Sequence, residues 1–498
     1  MTRHAASEGA LLGAASRDSF SRLAIADGLV RLGAASVLAS AIGASDDWAD
    51  AAVLGLTGVS ALALGVAGRR TFVRRRQPAT ARVLSGMAST WAIMVLFGTA
   101  TYVLSGAIST VDGALFESAA GFSTVALTTF DPSELSLSVA LFRGATQWLG
   151  GLLGLTTVVV ALPRAMRGQV QTPKGEGRSA DRLVPTTRVG SQRVFRLYAG
   201  LTTACFVGYA ATGMPLRGAA IHAMTTVSTG GFSDNADSFA TEGGPARVVA
   251  TFFMIVAGMS FFALFWLLRG NHRRFLASPE LRLYVAIIAS VTTMLVLDVE
   301  GLSVGDALFT AASASSTTGH AVVDWTLFPA ASLALLLVAV ATGAMGASAG
   351  SGLRVVRAWM LVLFAGRELR RQLDPNAVIV VKHANRPLSD AELDHLTGYQ
   401  IAHFGLCAVG SFLLAVTGAE ILDAIWGAIS VLSTSGPSLA TTAFGDAGGI
   451  DRVGRLVLIP GMLAGRLSIL PLLLAVASLL QVKDLATRQV RRFVWPDQ

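Results

Sequence analysis

Four stretches of the chain place hydroxyl side chains ahead of a small residue at one spacing. They are FESAAGFSTVALTTFD (116–131), AIHAMTTVSTGGFSD (220–234), FTAASASSTTGHAVVD (309–324) and IWGAISVLSTSGPSLATTAFGD (425–446). Each opens with a weakly amphipathic segment of about three helical turns, turns polar with Ser and Thr, and reaches Ala126, Gly230, Gly319 or Gly436. Counting back ten positions gives Phe116, Ala220, Phe309 and Trp426, near the start of each segment. The chemistry that suits this repeat is the capture of a dehydrated cation. A short helix that stops inside a membrane points the negative end of its dipole at the axis. The polar strand after it can turn carbonyls inward to replace an ion's water, and glycine permits the backbone angles this requires. Asp131, Asp234, Asp237, Asp324 and Asp446 follow the turns. Together they would concentrate cations at a mouth; singly, each also reads as a solvated loop residue.

The elements that must hold these turns are membrane spans. Of 498 residues, 53% are hydrophobic and 14% charged, where soluble domains carry about a quarter charged. The fold class is therefore an all-α polytopic membrane protein. Runs near 23–44, 47–68, 84–107, 147–163, 197–213, 248–268, 282–299, 328–349, 401–418 and 455–482 can each cross the ~30 Å hydrocarbon core. The net charge of +8 is not spread evenly: arginines cluster at 69–76, 164–182, 269–274, 367–371 and 488–492, and SDDWAD (45–50) is acidic. That alternation is the positive-inside pattern and not a nucleic-acid surface. It puts both termini and the 69–82, 164–196, 269–280 and 354–400 connections in the cytoplasm. No removable signal peptide is visible at the N-terminus. PKGEGRSADRLVP (173–185) reads as a linker, and 367–394 as a small polar element in which AVIVVK is a strand.

Other chemistries find no support. Cys205 and Cys407 lie in apolar runs and make neither a disulfide framework nor a metal site. His222 and His320 flank two of the turns without metal-ligand spacing. No Ser-His-Asp set, carboxylate pair or H-E-x-x-H is readable, so an enzyme is not expected. No G-x-x-x-x-G-K-S/T or convincing G-x-G-x-x-G is present, so no nucleotide cofactor is expected in this chain.

VSTGGFS (227–233), QWLGG (147–151), AGMSFFALFWLLRG (257–270), SPELRLY (278–284) and GMLAGRLSIL (461–470) resemble, in order, motifs of the Trk, Ktr and HKT superfamily of K⁺ transporters. The likeness runs from about residue 80 to the C-terminus. Two extra N-terminal spans make the chain similar to the TrkH branch. The resemblance implies four span–pore-helix–filter–span repeats around one central pore, with K⁺ as the transported ion. It divides the chain into an N-terminal pair of spans (1–79) and repeats at 80–168, 169–275, 276–372 and 373–498. It implies a homodimer in the bacterial cytoplasmic membrane and a cytoplasmic nucleotide-binding partner of the TrkA type. The filter residues it implies are Thr124, Val125 and Ala126; Ser228, Thr229 and Gly230; Thr317, Thr318 and Gly319; Thr434, Ser435 and Gly436.

The small-residue stretch ATGAMGASAGSGLR (341–354) corresponds in the family to a gating loop, with Gly346, Ser348, Gly350 and Gly352 as its flexible positions. Gly and Ser weaken a helix near a cavity, although small residues also serve close helix packing. Arg466 lies about eleven residues into the last span, ~16 Å along a helix, where a charge faces a cavity or a partner. The resemblance makes it an electrostatic barrier below the filter. Ser468 stands where the family often has Glu, and Ala126 where the first filter normally has Gly. A methyl group at Ala126 disfavours a left-handed backbone by about 1 kcal/mol or rotates one carbonyl away from the ion. A Na⁺-permeable pathway and a non-conducting membrane sensor are the two alternatives to K⁺ uptake.

Overall fold

In the computed structural model the described residues are 2–71, 80–158, 187–374, 381–383, 386–387, 390–439, 441–467 and 472. Small residues set the first contact. Helices α1 (Thr2–Gly43) and α2 (Trp48–Thr71) lie antiparallel, Gly33 against Gly58 and Gly65 against Ala26. A β-carbon on Gly33 would stand 2.5 Å from the Gly58 carbonyl oxygen, so these glycines allow the backbones to meet. Asp27 and Arg69 pair at 2.6 Å near one end.

Four units of the same design follow. The first is α3 (Thr80–Leu104), the short α4 (Val111–Ser123) and α5 (Leu137–Thr156). The second is α6 (Thr187–Ala211), α7 (Leu216–Val227), and α8 (Gly244–Gly258) with α9 (Phe261–Leu268). After α10 (His272–Leu276) come α11 (Pro279–Asp298), α12 (Val304–Ser316) and α13 (Ala330–Thr342). Helix α14 (Val355–Leu373) leads to the last unit, α15 (Asp390–Val416), α16 (Ile421–Leu432) and α17 (Arg452–Leu467). Polar caps fix the starts: Thr110, Ser278 and Ser303 accept from the N–H groups of Gly113, Leu281 and Asp306. The short helices α4, α7, α12 and α16 are buried along most of their length, while Leu56, Leu96, Val248, Leu297 and Ile401 stand on the outer surface of the long ones. An apolar exterior around a core rich in hydroxyls is the inverse of a soluble protein and suits lipid.

Six described helices are long and apolar enough to cross a membrane, and α8 with α9 makes a seventh only as a pair bent by 106°. The expected straight span at 248–268 is therefore broken at Met259 and Ser260. The run of apolar residues conceals the break, because its cause is a distant partner: Gly258 O accepts from Met345 N–H and Ala257 O from Ala349 N–H, while Phe261 N–H donates to Ala347 O. The span expected at 328–349 likewise stops at Thr342, where Gly343 takes φ +68°. Helix α5 begins at Leu137, ten residues ahead of the expected 147. The polar element at 367–394 contains a hairpin of two residues per strand, β1 (Lys382–His383) against β2 (Arg386–Pro387), and most of AVIVVK lies outside the described residues. So do the linker at 173–185, Ser468 and most of the last span beyond Leu467.

Candidate functional site

The four short helices end alike. In each, a threonine turns into the left-handed region: Thr124 (φ 54°), Thr229 (φ 53°), Thr317 (φ 58°) and Thr434 (φ 56°). Its N–H donates three residues back, to Gly121, Thr226, Ala314 and Val431 carbonyls. The next N–H donates five residues back, from Val125 to Ala120, Gly230 to Thr225, Thr318 to Ser313 and Ser435 to Ser430. This is a capped helix end built four times. A β-branched residue in the left-handed region is strained and persists only where the surroundings impose it.

Counted from these threonines, the residues two places on are Ala126, Gly231, Gly319 and Gly436. The second turn is therefore set one residue later than expected: Gly231, not Gly230, is equivalent to Gly319 and Gly436, and Ser228 precedes the turn. The buried Ile221, not the partly exposed Ala220, then stands ten residues back with Phe116, Phe309 and Trp426. Two adjacent glycines left the register open, and the burial pattern along α7 decides it. Gly231, Gly319 and Gly436 have φ of 75°, 85° and 104°, whereas Ala126 stays out of the left-handed region.

The four turns meet in chain order. A β-carbon on Gly231 would collide with Thr318 O, one on Gly319 with Ser435 O, and one on Gly436 would lie 2.5 Å from Ala126 N. The Ala126 methyl fills the middle of this ring: added β-carbons on Gly231 and Gly319 would each be 2.6 Å from it. Instead of turning left-handed, the first strand runs alongside the fourth. Ala126 N–H donates to Ser435 O at 3.2 Å, Thr128 N–H to Gly445 O and Ala447 N–H to Thr128 O. All twelve expected residues at or beside the turns are buried. The threonine hydroxyls differ. Thr229 Oγ1 donates to Ser228 O and Thr317 Oγ1 accepts from Ser351 N–H at 3.0 Å, while Thr124 Oγ1 and Thr434 Oγ1 are buried with no hydrogen-bond partner among the described residues. Unpartnered buried oxygens call for an explanation, and oxygens beside converging helix C-termini have the chemistry that suits a cation.

Side chains that sequence reasoning passed over brace the ring. Gln147, in the quoted QWLGG, donates from Nε2 to Gly230 O (2.7 Å) and Val125 O (3.3 Å) and accepts Phe232 N–H on Oε1. One amide thus joins the first two strands. The following Gly150 and Gly151 let the end of α4 and Ser228 come against α5; a β-carbon on Gly150 would collide with Phe122 O, which also accepts from Trp91 Nε1. Seven residues before the first filter threonine is Glu117, buried and 2.6 Å from Arg143 Nε. Arg143 also donates to Ser233 O at 2.8 Å and lies 3.6 Å over the Phe232 ring. Seven residues before the second filter threonine is His222, which faces Asp234 at 3.1 Å.

Below the third turn, residues 343–354 run without helix, with Ala347 (φ 57°), Gly352 (φ 85°) and Arg354 (φ 71°) left-handed. Ser348 Oγ donates to Met345 O, Gly346 N–H to Glu280 Oε1, and a β-carbon on Gly350 would stand 2.5 Å from Ser316 O. Arg466 is buried and reaches this loop: its Nη1 donates to Ala349 O at 2.8 Å, with Ser351 Oγ at 3.5 Å and Gly150 O at 3.4 Å more loosely held. Arg466, the loop and the third turn are therefore brought together.

The carboxylates after the turns each do local work. Asp131 and Asp324 cap 3-10 turns, and Asp446 accepts Gly448 N–H. The Ser133 hydroxyl and N–H hold the Asp131 carboxyl below the usual carboxylate range. Asp131, Asp237, Asp324 and Asp446 are exposed. Among the described residues no group of three or more His, Cys, Asp or Glu is placed to hold a metal ion.

The family and the fold are shared with known proteins. The family model TrkH, described as a cation transport protein, matches residues 57–486. A Trk system potassium uptake protein TrkH of Halomonas elongata is 30% identical over 405 residues, covering 76% of this chain and 81% of its own. The protein of the same name from Salmonella typhimurium is 26% identical, covering 77% and 82%. The crystal structure of the potassium transporter TrkH from Vibrio parahaemolyticus superposes with a TM-score of 0.80 at 24% identity, over 91% of this chain and 97% of that one.

Proposed function

We propose that this chain, which belongs to the TrkH family of cation transport proteins, carries K⁺ inward across a bacterial cytoplasmic membrane through the ring of four turns. The observation that carries the reading is the fourfold threonine cap, with two buried hydroxyls, Thr124 and Thr434, that no group among the described residues satisfies. The resemblance of the filter motifs and the names of the relatives, potassium uptake proteins, favour K⁺. Ions gather at the carboxylates after the turns, shed water against hydroxyl and carbonyl oxygens at Thr124, Thr229, Thr317 and Thr434, and leave past the loop and Arg466 under the membrane potential. The loop gates: Ala349 O, on which Arg466 holds, and Ser351 N–H, which holds Thr317, are on the same short segment. Gly346, Ser348, Gly350 and Gly352 give the segment its second arrangement. Cytoplasmic termini, a homodimer and a TrkA-type nucleotide-binding partner complete the reading, supported by the arginine pattern and the sequence resemblance.

Ala126 favours a second reading, of weaker K⁺ selection with Na⁺ permeation. Its methyl stands where three glycines converge, and its backbone does not turn with theirs. Growth rescue of a K⁺-uptake-deficient bacterium on low K⁺, wild type beside Ala126→Gly, tests both. Rescue by the wild type is expected. Rescue by Ala126→Gly alone, with Na⁺ flux in the wild type, selects the second reading. Failure of both in well-expressed membranes containing the partner overturns conduction.

A further inference from the structure

A groove of about 960 Å³ lies between α1, α5, α6 and α7, apart from the ring of turns. Helix α5 runs against both α1 and α6. Gly43, at the end of α1, lies against Ser138 at the start of α5. Trp148, farther along α5, packs on Phe195 and donates to Thr202 Oγ1 of α6 at 3.0 Å. The first residues of the α1 and α6 spans, Leu23 and Gly190, are therefore at the same end. The walls are largely apolar, with Leu38 and Ile42 of α1, Leu141 and Leu149 of α5, Phe206 of α6 and Met224 of α7. Thr202 and Thr203, midway along, turn their hydroxyl protons back to carbonyls of their own helix.

The charged and amide groups of the groove gather at one end. They are Arg31 of α1 and Arg196, Ser191 and Gln192 of α6. Arg31 stands eight residues beyond Leu23 and Arg196 six beyond Gly190, ~12 Å and ~9 Å into their spans. A guanidinium at such a depth faces a cavity or a partner, and its long stem lets it reach toward the interface. Asp27, the carboxylate that acts on Arg31, is held by Arg69 at 2.6 Å. No Asp or Glu is among the described residues that line the groove. The stretch of α1 that lines it, Arg31 to Ile42, is ~16 Å long. That is about half of the ~30 Å hydrocarbon core, the reach of an acyl tail within one leaflet.

We propose that an anionic diacyl phospholipid occupies this groove and props the second short helix. Its phosphate lies against Arg31 and Arg196, with Ser191 and Gln192 as further donors to the headgroup. Its tails run along α1 and α5 to the flank of α7. Basic pockets between spans hold anionic headgroups in this way. The positive charge at the polar end disfavours a headgroup that carries its own ammonium, and the apolar walls disfavour free phosphate. The wall given by α7 is Ala220, Ala223 and Met224, on the helix that ends in the second turn. Trp148 on the α5 wall adjoins Gln147, which braces that turn. The lipid therefore backs the second turn from the membrane side. The site does not depend on which ion the turns pass.

The test uses the full-length purified chain, washed free of lipid and examined by native mass spectrometry with phosphatidylglycerol or phosphatidylcholine of the same tails. The wild type is expected to retain phosphatidylglycerol several-fold more than phosphatidylcholine. Arg31→Gln/Arg196→Gln is expected to lose that preference. Arg273→Gln/Arg274→Gln, on α10 outside the groove, is expected to keep it. Equal retention of the two lipids by the wild type, an unchanged preference in the first variant, or an equal loss in the second overturns the proposal. Ala34→Phe fills the groove without changing its charge and serves where the double variant does not fold. It is expected to lower phosphatidylglycerol retention, and unchanged retention overturns the proposal. If Ala34→Phe instead turns a dimer into a monomer with lipid retention unaltered, a second copy of the chain covers the groove and the proposal falls. Thermal unfolding reads the propping. Phosphatidylglycerol should raise the melting temperature of the wild type by several degrees and leave that of Arg31→Gln/Arg196→Gln unmoved. The same rise in both overturns the proposal.

Discussion

Glu117 and His222 occupy the same place on successive short helices, seven residues before the filter threonine, yet the seams they build are opposite in kind. Between the first and second turns, the buried Glu117 is met by the equally buried guanidinium of Arg143. Between the second and third, the basic residue is on the short helix and the carboxylate is at the rim, 3.1 Å apart. The first seam also carries Gln147, whose single amide ties Val125, Gly230 and Phe232. One seam is a fixed strut. The other reaches the rim through Asp234. A fourfold backbone motif can thus be held by supports with different chemistry.

The comparison makes graded predictions. The largest effect is expected from Arg143→Leu, which leaves Glu117 buried and uncompensated at a cost of about 3–5 kcal/mol. Thermal unfolding of the purified protein should show a drop of many degrees, with partial recovery in Glu117→Leu/Arg143→Leu. Equal stability of the single and double variants would break the idea of a strut. Gln147→Leu comes next. It strands the Phe232 N–H and two filter carbonyls, and about 1–3 kcal/mol per buried group corresponds to at least a tenfold loss of ⁸⁶Rb⁺ uptake. Retained uptake with unchanged Rb⁺ over Na⁺ preference would remove Gln147 from the filter's support. The smallest effect is expected from His222→Gln, since Asp234 keeps an exposed edge and the glutamine amide can still donate to it. Its melting point should stay within a few degrees of the wild type. A drop as large as that of Arg143→Leu would erase the distinction between the seams.

Much of this was legible in the sequence, and the remainder was hidden for physical reasons. The four hydroxyl turns announce themselves because a short apolar helix followed by Ser, Thr and a small residue has few other uses in a membrane. The position of the second filter was misread by one residue because Gly230 and Gly231 are interchangeable in local pattern; only the inward face of α7, with Ile221 buried, separates them. The break at Met259 and Ser260 left no trace, since its hydrogen-bond partners, Met345, Ala347 and Ala349, lie more than eighty residues away. The loop was visible from its glycines, but Glu280 and Ser351, which fasten it, were not, because a carboxylate and a serine carry no periodic signal. Ala126 was visible as an odd residue. That its strand would avoid the left-handed region and pair with the fourth needed the coordinates.

The bond between Ser351 and Thr317 has a consequence for how such a pathway is regulated. Thr317 Oγ1 is shared between a filter turn and the amide of the segment beneath it. A cation on that oxygen and the positive end of the amide dipole disfavour each other. By thermodynamic reciprocity, whatever factor the docked segment subtracts from ion affinity at that turn, a bound ion subtracts from docking of the segment. In the proposed function, substrate concentration would then itself be an effector, a loaded turn loosening its own bolt and an unloaded one drawing it shut.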